Sequence, residues 1–119
     1  MTTTGLKGPF SLDVKTIDKV VTKKSAGTYA LGYLNKEGLF VPKYVGRSDT
    51  DINKRLKDSV GNNYPKFEFE YYGSPKAAFE KECNLYHDWK AQLDNKEHPD
   101  RPENANWKCP RCKKFNGKK

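Results

Sequence analysis

No stretch of the sequence approaches the roughly 18 consecutive apolar residues that a membrane-spanning helix needs. Met1 to Phe10 carries neither the apolar segment nor the small-residue cleavage site of a secretory signal. The expectation is an intracellular protein, cytoplasmic or nucleoid-associated and not secreted, with no membrane partner. Cysteine is scarce: three residues, an odd number that leaves a thiol over in any oxidised framework. That argues against a disulfide scaffold and for a reducing compartment. Hydrophobic residues make up only 34% of the 119, little for a globular chain. A core built from so little apolar surface gains from a staple, such as a metal or a partner. There is no internal repeat, and the length allows one compact domain with a short appendage.

What the chain has in excess is positive charge. The net charge is +8, and its distribution is uneven. From Arg101 to Lys119 there are seven Lys or Arg against the single acid Glu103, which is +6 of the total. A small basic protein with a basic tail suggests a polyanionic partner, most often nucleic acid.

Three segments follow from composition. Residues 1–24 read as an N-terminal leader and extension without a clear element. Residues 25–93 hold the periodic patterns. Gly27–Leu34 is rich in strand formers, Asn35–Gly38 is a turn, and Leu39–Val45 returns as a second strand. Pro42 either confines that strand to a sheet edge or ends a loop just before Tyr44. Ile52, Leu56 and Val60 recur every four residues, predicting a helix over Asp51–Val60 capped from within Ser48–Asp51. Lys66–Tyr72 alternates aromatic and acidic residues, as a half-exposed strand does. Ser74-Pro75 opens a helix that the stripe Phe79, Cys83, Tyr86, Trp89 and Leu93 carries to about Leu93. Residues 94–119 comprise a polar, Pro-rich loop, the knuckle Cys109-Pro-Arg-Cys112 and the basic tail. The order β-β-α-β-α predicts an α+β domain: a small antiparallel β-sheet flanked by helices.

Chemistry-bearing side chains recur at the ends of these elements. Tyr29 lies in the first strand, Tyr44 near the end of the second, Arg47 just after it, Arg55 on the first helix and Glu82 on the second. A carboxylate can hold a hard divalent ion. The ion and an arginine can neutralise charge developing on a phosphate, and a tyrosine near the attacking water can pass a proton. Glu80 is the rival acid, but Lys76 one turn before it is placed to pair with it.

In order and spacing this set resembles the GIY-YIG nuclease superfamily. Gly27-Thr28-Tyr29 matches the first motif with Thr for Ile, and Tyr44-Val45-Gly46 matches the second. Arg55 stands nine residues beyond Gly46, and Glu82, followed by Leu85 and Tyr86, takes the place of the family's late helical glutamate. The match spans Gly27 to Trp89. It departs from the family pattern in a longer interval between the two tyrosines, in Thr28, and in Ser59, which stands where many members carry histidine. The resemblance implies a metal-dependent endonuclease that hydrolyses phosphodiester bonds in nucleic acid, with DNA the expected substrate. It implies Tyr29 as general base or water-positioning group and Tyr44 as a site-lining group that orients the water and phosphate. It implies Arg55 as the phosphate-stabilising group and Glu82 as ligand to one Mg²⁺ or Mn²⁺. Gly46 would keep the strand end clear of a side chain, with Arg47 near the substrate. The alternative within the same resemblance is a catalytically weak or silent module that only binds nucleic acid.

A second constellation uses the cysteines. Cys83 and His87 share a helix face at a spacing of four, and Cys109 and Cys112 form C-x2-C. Together they offer four ligands of the types zinc prefers, enough for a closed structural Zn²⁺ site. His98 is an alternative to His87. A zinc site would turn Arg111, Lys113 and Lys114 into a positioned basic surface for phosphates. Trp107 and Phe115 would either stack on unpaired bases or cover the metal.

Overall fold

The computed structural model describes residues 4–95, 97–102 and 105–112. The elements in chain order are β1 (Lys7–Ser11), α1 (Val14–Val20), β2 (Gly27–Leu34), β3 (Phe40–Ser48), α2 (Ile52–Lys57), β4 (Lys66–Tyr71) and α3 (Pro75–Trp89). The four strands form one sheet in the order β1-β4-β2-β3, and every neighbouring pair is antiparallel. The α+β class expected from the sequence is therefore the one observed. β3 lies at an edge, as Pro42 requires. Pro42 faces Gly32 at a register shift, where a Cβ on residue 32 would lie 1.9 Å from the Val41 carbonyl oxygen.

The sheet is covered on both faces because side chains alternate along its central strand. Tyr29 and Leu31 of β2 point to one face and join Phe67 and Phe69 of β4, Ile17 of α1, and Ile52 and Leu56 of α2. Ala30 points to the other and packs with Val45 of β3 and Leu85 and Tyr86 of α3. Each fully buried Ile, Leu or Phe contributes about 1.5–3 kcal/mol. Side-chain caps start the helices: Asp13 accepts from Thr16 N at 2.7 Å, Asp51 from Lys54 N at 3.3 Å and Ser74 from Ala77 N at 3.1 Å.

Two expectations change. The segment expected as a leader holds β1, which pairs with β4, and α1, which packs beside α2. The acids of Lys66–Tyr72 do not share a solvated face. Glu68 is buried, with the Thr4 hydroxyl donating to its carboxylate, because the chain leading into β1 crosses above it. The polar run after α3 also does more than connect. The Asn95 side chain accepts from Val45 N at 2.9 Å and donates to Val45 O at 2.9 Å, so it seals the open edge of β3.

Candidate active site and metal centre

β3 continues three residues past the expected strand end, and that extension builds the site. Antiparallel register places Gly46 opposite Tyr29 and Arg47 opposite Thr28. A Cβ on residue 46 would lie 2.5 Å from Tyr29 Oη and 2.6 Å from its Cζ, so the tyrosine ring occupies the space that glycine leaves. The need for glycine here is one of room rather than backbone angle. Tyr29 is buried, and its hydroxyl is hydrogen-bonded to Arg55 and Ser59. Burial pushes the Tyr29 hydroxyl above the ordinary tyrosine value, and the Arg55 guanidinium pulls it back. Ser59 thus occupies its position as a buried partner of Tyr29.

Tyr29, Tyr44 and Arg55 line a cavity of about 600 Å³ together with Asp58, Tyr64 and Asp94. Tyr44 and Arg55 also line an adjoining cavity of about 430 Å³, shared with Gly46, Arg47, Asp49, Glu82 and Asp100. The four side chains proposed for catalysis thus come from β2, β3, α2 and α3 onto two contiguous cavities. Thr28 fixes the last of these elements: its buried hydroxyl donates to the Ala78 carbonyl at 2.8 Å, one turn before Glu82. Isoleucine has no hydroxyl and could not make that bond. Glu80 points elsewhere and pairs with Lys76 at 4.0 Å on the exposed side of α3.

Glu82 is not free. Arg47 Nη1 donates to Glu82 Oε1 at 2.8 Å and Arg47 Nε to Asp49 Oδ1 at 2.8 Å. The guanidinium stacks against Phe79 at 5.1 Å and Trp107 at 5.8 Å from the ring centroids. Desolvation raises the Glu82 pKa above the ordinary carboxylate value, and Arg47 works against it. Arg47, expected near substrate, is thus taken up by two carboxylates and two rings. Glu82, Asp49 and Asp100 line one cavity, the first two hydrogen-bonded to Arg47.

The second site differs from the expected one in one ligand. His87, His98, Cys109 and Cys112 bring one ligand atom each to within 4.8 Å of one another. This His₂Cys₂ set can hold a metal such as zinc. His87 Nε2 lies 3.3 Å from His98 Nε2, which lies 3.4 Å from Cys112 Sγ. His98 Nδ1 is 2.7 Å from the Pro99 carbonyl oxygen, which can only accept. The proton is therefore on Nδ1, and Nε2 keeps its lone pair for the cluster. Cys83 stands outside the set. It lies one turn deeper on α3, fully buried with Phe79 and Cys109, and its thiol is hydrogen-bonded to Cys109. Burial pushes that thiol well above the usual range, which disfavours the thiolate. Helical spacing identified the face that Cys83 shares with His87, but the loop delivers His98 to the outer, accessible position. Its only sequence signal is its place eleven residues before Cys109.

The basic surface is also rearranged. Arg111 donates to Asp88 Oδ1 of α3 at 2.7 Å, so it braces the knuckle against the helix. Trp107 packs on Phe79 with ring centroids 5.4 Å apart and covers the buried Cys83–Cys109 pair. Lys113, Lys114 and Phe115 lie outside the described residues. No helix among the described residues is long and apolar enough to cross a membrane. No family model matches this chain, and neither does any curated protein or solved structure.

Proposed function

We propose that this protein is a metal-dependent endonuclease of the GIY-YIG kind, hydrolysing phosphodiester bonds in nucleic acid, with DNA as its substrate. The observation that carries the reading is the convergence of Tyr29, Tyr44, Arg55 and Glu82, from four different elements, on two adjoining cavities. Arg55 lines both and is exposed enough to meet a phosphate. Its guanidinium is hydrogen-bonded to the Tyr29 hydroxyl and opposes the upward push of burial on that group, and the hydroxyl is placed to position a water. Tyr44, at the junction of the cavities, orients the water relative to the phosphate. Glu82 would hold one Mg²⁺ or Mn²⁺, in a cavity that Asp49 and Asp100 also line. Such an ion supplies charge neutralisation at the phosphate.

His87, His98, Cys109 and Cys112 would hold a structural Zn²⁺ that fastens the C-terminal knuckle to α3 and supplements a small core. Intracellular location fits the three free cysteines. One observation favours a second reading, a module that binds nucleic acid without cutting it: Glu82 is already neutralised by Arg47.

The deciding experiment incubates zinc-loaded wild type, Tyr29→Phe and Glu82→Gln with labelled single-stranded, duplex and branched DNA. Each is assayed with and without Mg²⁺ or Mn²⁺. Cleavage that needs the ion, falls by about 10²–10⁴-fold in Tyr29→Phe and is lost in Glu82→Gln supports the nuclease. Salt-sensitive binding without products from any substrate replaces it with the binding module.

A further inference from the structure

Two halves of the double cavity differ in chemistry. Arg55 stands where the two halves meet and is the guanidinium open to a phosphate, because Arg47 on the Glu82 side is held by Glu82 and Asp49. Beyond Arg55 the larger half, about 600 Å³, is lined by Tyr44, Tyr64, Asn62, Asn63, Asp58 and Asp94. Tyr44 and Tyr64 form an aromatic wall there, with ring centroids 6.4 Å apart and planes inclined by 39°. That is already ring-contact distance, so a third ring packs on this wall and not between its members. The wall is held in place. Tyr64 Oη donates to Asp94 Oδ2 at 2.7 Å, and the neighbouring Asn95 is clamped to Val45. On the rim, Asn62 and Asn63 expose amides from a turn set by positive φ at Gly61 (93°) and Asn63 (73°).

Resting on the nuclease or binding-module reading of the same site, we propose that this half-cavity is a nucleobase subsite. A phosphate at Arg55 places the adjoining nucleotide beside it, and an aromatic wall rimmed by amides and carboxylates fits a planar, hydrogen-bonding ring. Carboxylates accept and never donate, and an exocyclic amine offers two N–H donors where thymine has its single ring N–H, so the favoured bases are adenine, cytosine or guanine over thymine. A base reaches the wall only when unpaired. The substrate class is therefore single-stranded nucleic acid, or a duplex with an unpaired nucleotide at the cleavage point.

The test measures binding by fluorescence anisotropy, in zinc-containing buffer without Mg²⁺ or Mn²⁺, so that cleavage is not required. The probes are a mixed-sequence single strand, its perfect duplex, and oligo-dC and oligo-dT of equal length. Wild type should bind the single strand about tenfold or more tighter than the duplex, the scale of one stacked base, and oligo-dC tighter than oligo-dT. Tyr64→Leu and Asn62→Ala should each reduce the single-strand preference while duplex binding stays. Asp58→Ala should erase the preference for oligo-dC. Because Asn62 is exposed, its variant keeps the test valid if Tyr64→Leu fails to fold. Equal binding of single strand and duplex, or a preference unchanged in Asn62→Ala, overturns the subsite. Preference without cleavage in the presence of Mg²⁺ overturns the nuclease and leaves the subsite standing. Cleavage without preference does the reverse.

Discussion

Arg47 Nη1 and Glu82 Oε1 lie 2.8 Å apart with side-chain exposures of only 12% and 10%. A carboxylate so far from water is kept charged by that guanidinium, while burial drives it towards its neutral form. Removing the arginine leaves the acid uncompensated. Arg47→Met should cost about 3–5 kcal/mol at neutral pH, read from chemical denaturation. Burial holds the folded Glu82 above the ordinary value of 4.5 even beside Arg47, and without Arg47 it rises further, so the deficit relative to wild type opens as pH rises through the wild-type folded value and is smaller below it. A deficit independent of pH would show that Arg47 acts through packing on Phe79 and Trp107 instead.

Gly46 offers a second test of the site's geometry. Alanine there drives its methyl into the Tyr29 ring, which is enclosed and cannot swing out. Gly46→Ala should destabilise by about 1–3 kcal/mol through overpacking and, if the proposed nuclease reading holds, reduce cleavage by displacing the Tyr29 hydroxyl from Arg55. Unchanged melting and unchanged rate together would contradict this contact.

The ligand set of the metal centre is separable by substitution. Purified wild type should carry one zinc per chain by mass spectrometry. His98→Ala and Cys112→Ser should lose most of it, whereas Cys83→Ala should retain it, because Cys83 lies outside the cluster. Retention in His98→Ala with loss in Cys83→Ala would restore the helical pair as the ligand set.

Glu68 gives a prediction on pH alone. Burial raises its pKa, against the Thr4 hydroxyl that donates to it. The folded state then holds more protons than the unfolded state between 4.5 and the higher folded value, so stability falls as pH rises through that window and stays lower above it. Glu68→Gln keeps an acceptor for Thr4 and carries no charge. It should raise the melting temperature at pH 7 and flatten its decline from pH 4 upward. A variant no more stable than wild type at pH 7 would mean that Glu68 is already well solvated.

What the sequence made legible was local. β2, β4 and α3 carry their own alternation, caps and stripes, and the ends Gly27, Leu34, Lys66 and Pro75 fall where those patterns put them. The order of Tyr29, Tyr44, Arg55 and Glu82 was equally readable, because each sits on an element with a clear signal. β1 was not, since its strand character comes from pairing with β4 far along the chain, and Gly8-Pro9 reads as a breaker. α1 has only seven residues and little periodicity, although Asp13 three before Thr16 was an available cap signal. His98 and Asn95 act from a polar run with no period at all, and only folding reveals what they touch. The Arg47–Glu82 bond joins residues that no helical or strand spacing relates.

The strand order β1-β4-β2-β3 has a consequence for how the chain is made. β1 leaves the ribosome first but pairs Lys7 with Phe69, so it must wait while the β2–β3 hairpin and α2 form without it. A molecule cut between β1 and α1 that loses β1 presents the outer edge of β4, which carries Phe67 and Phe69, to the same segment of another copy. β1 is thus the strand that covers the outer edge of β4.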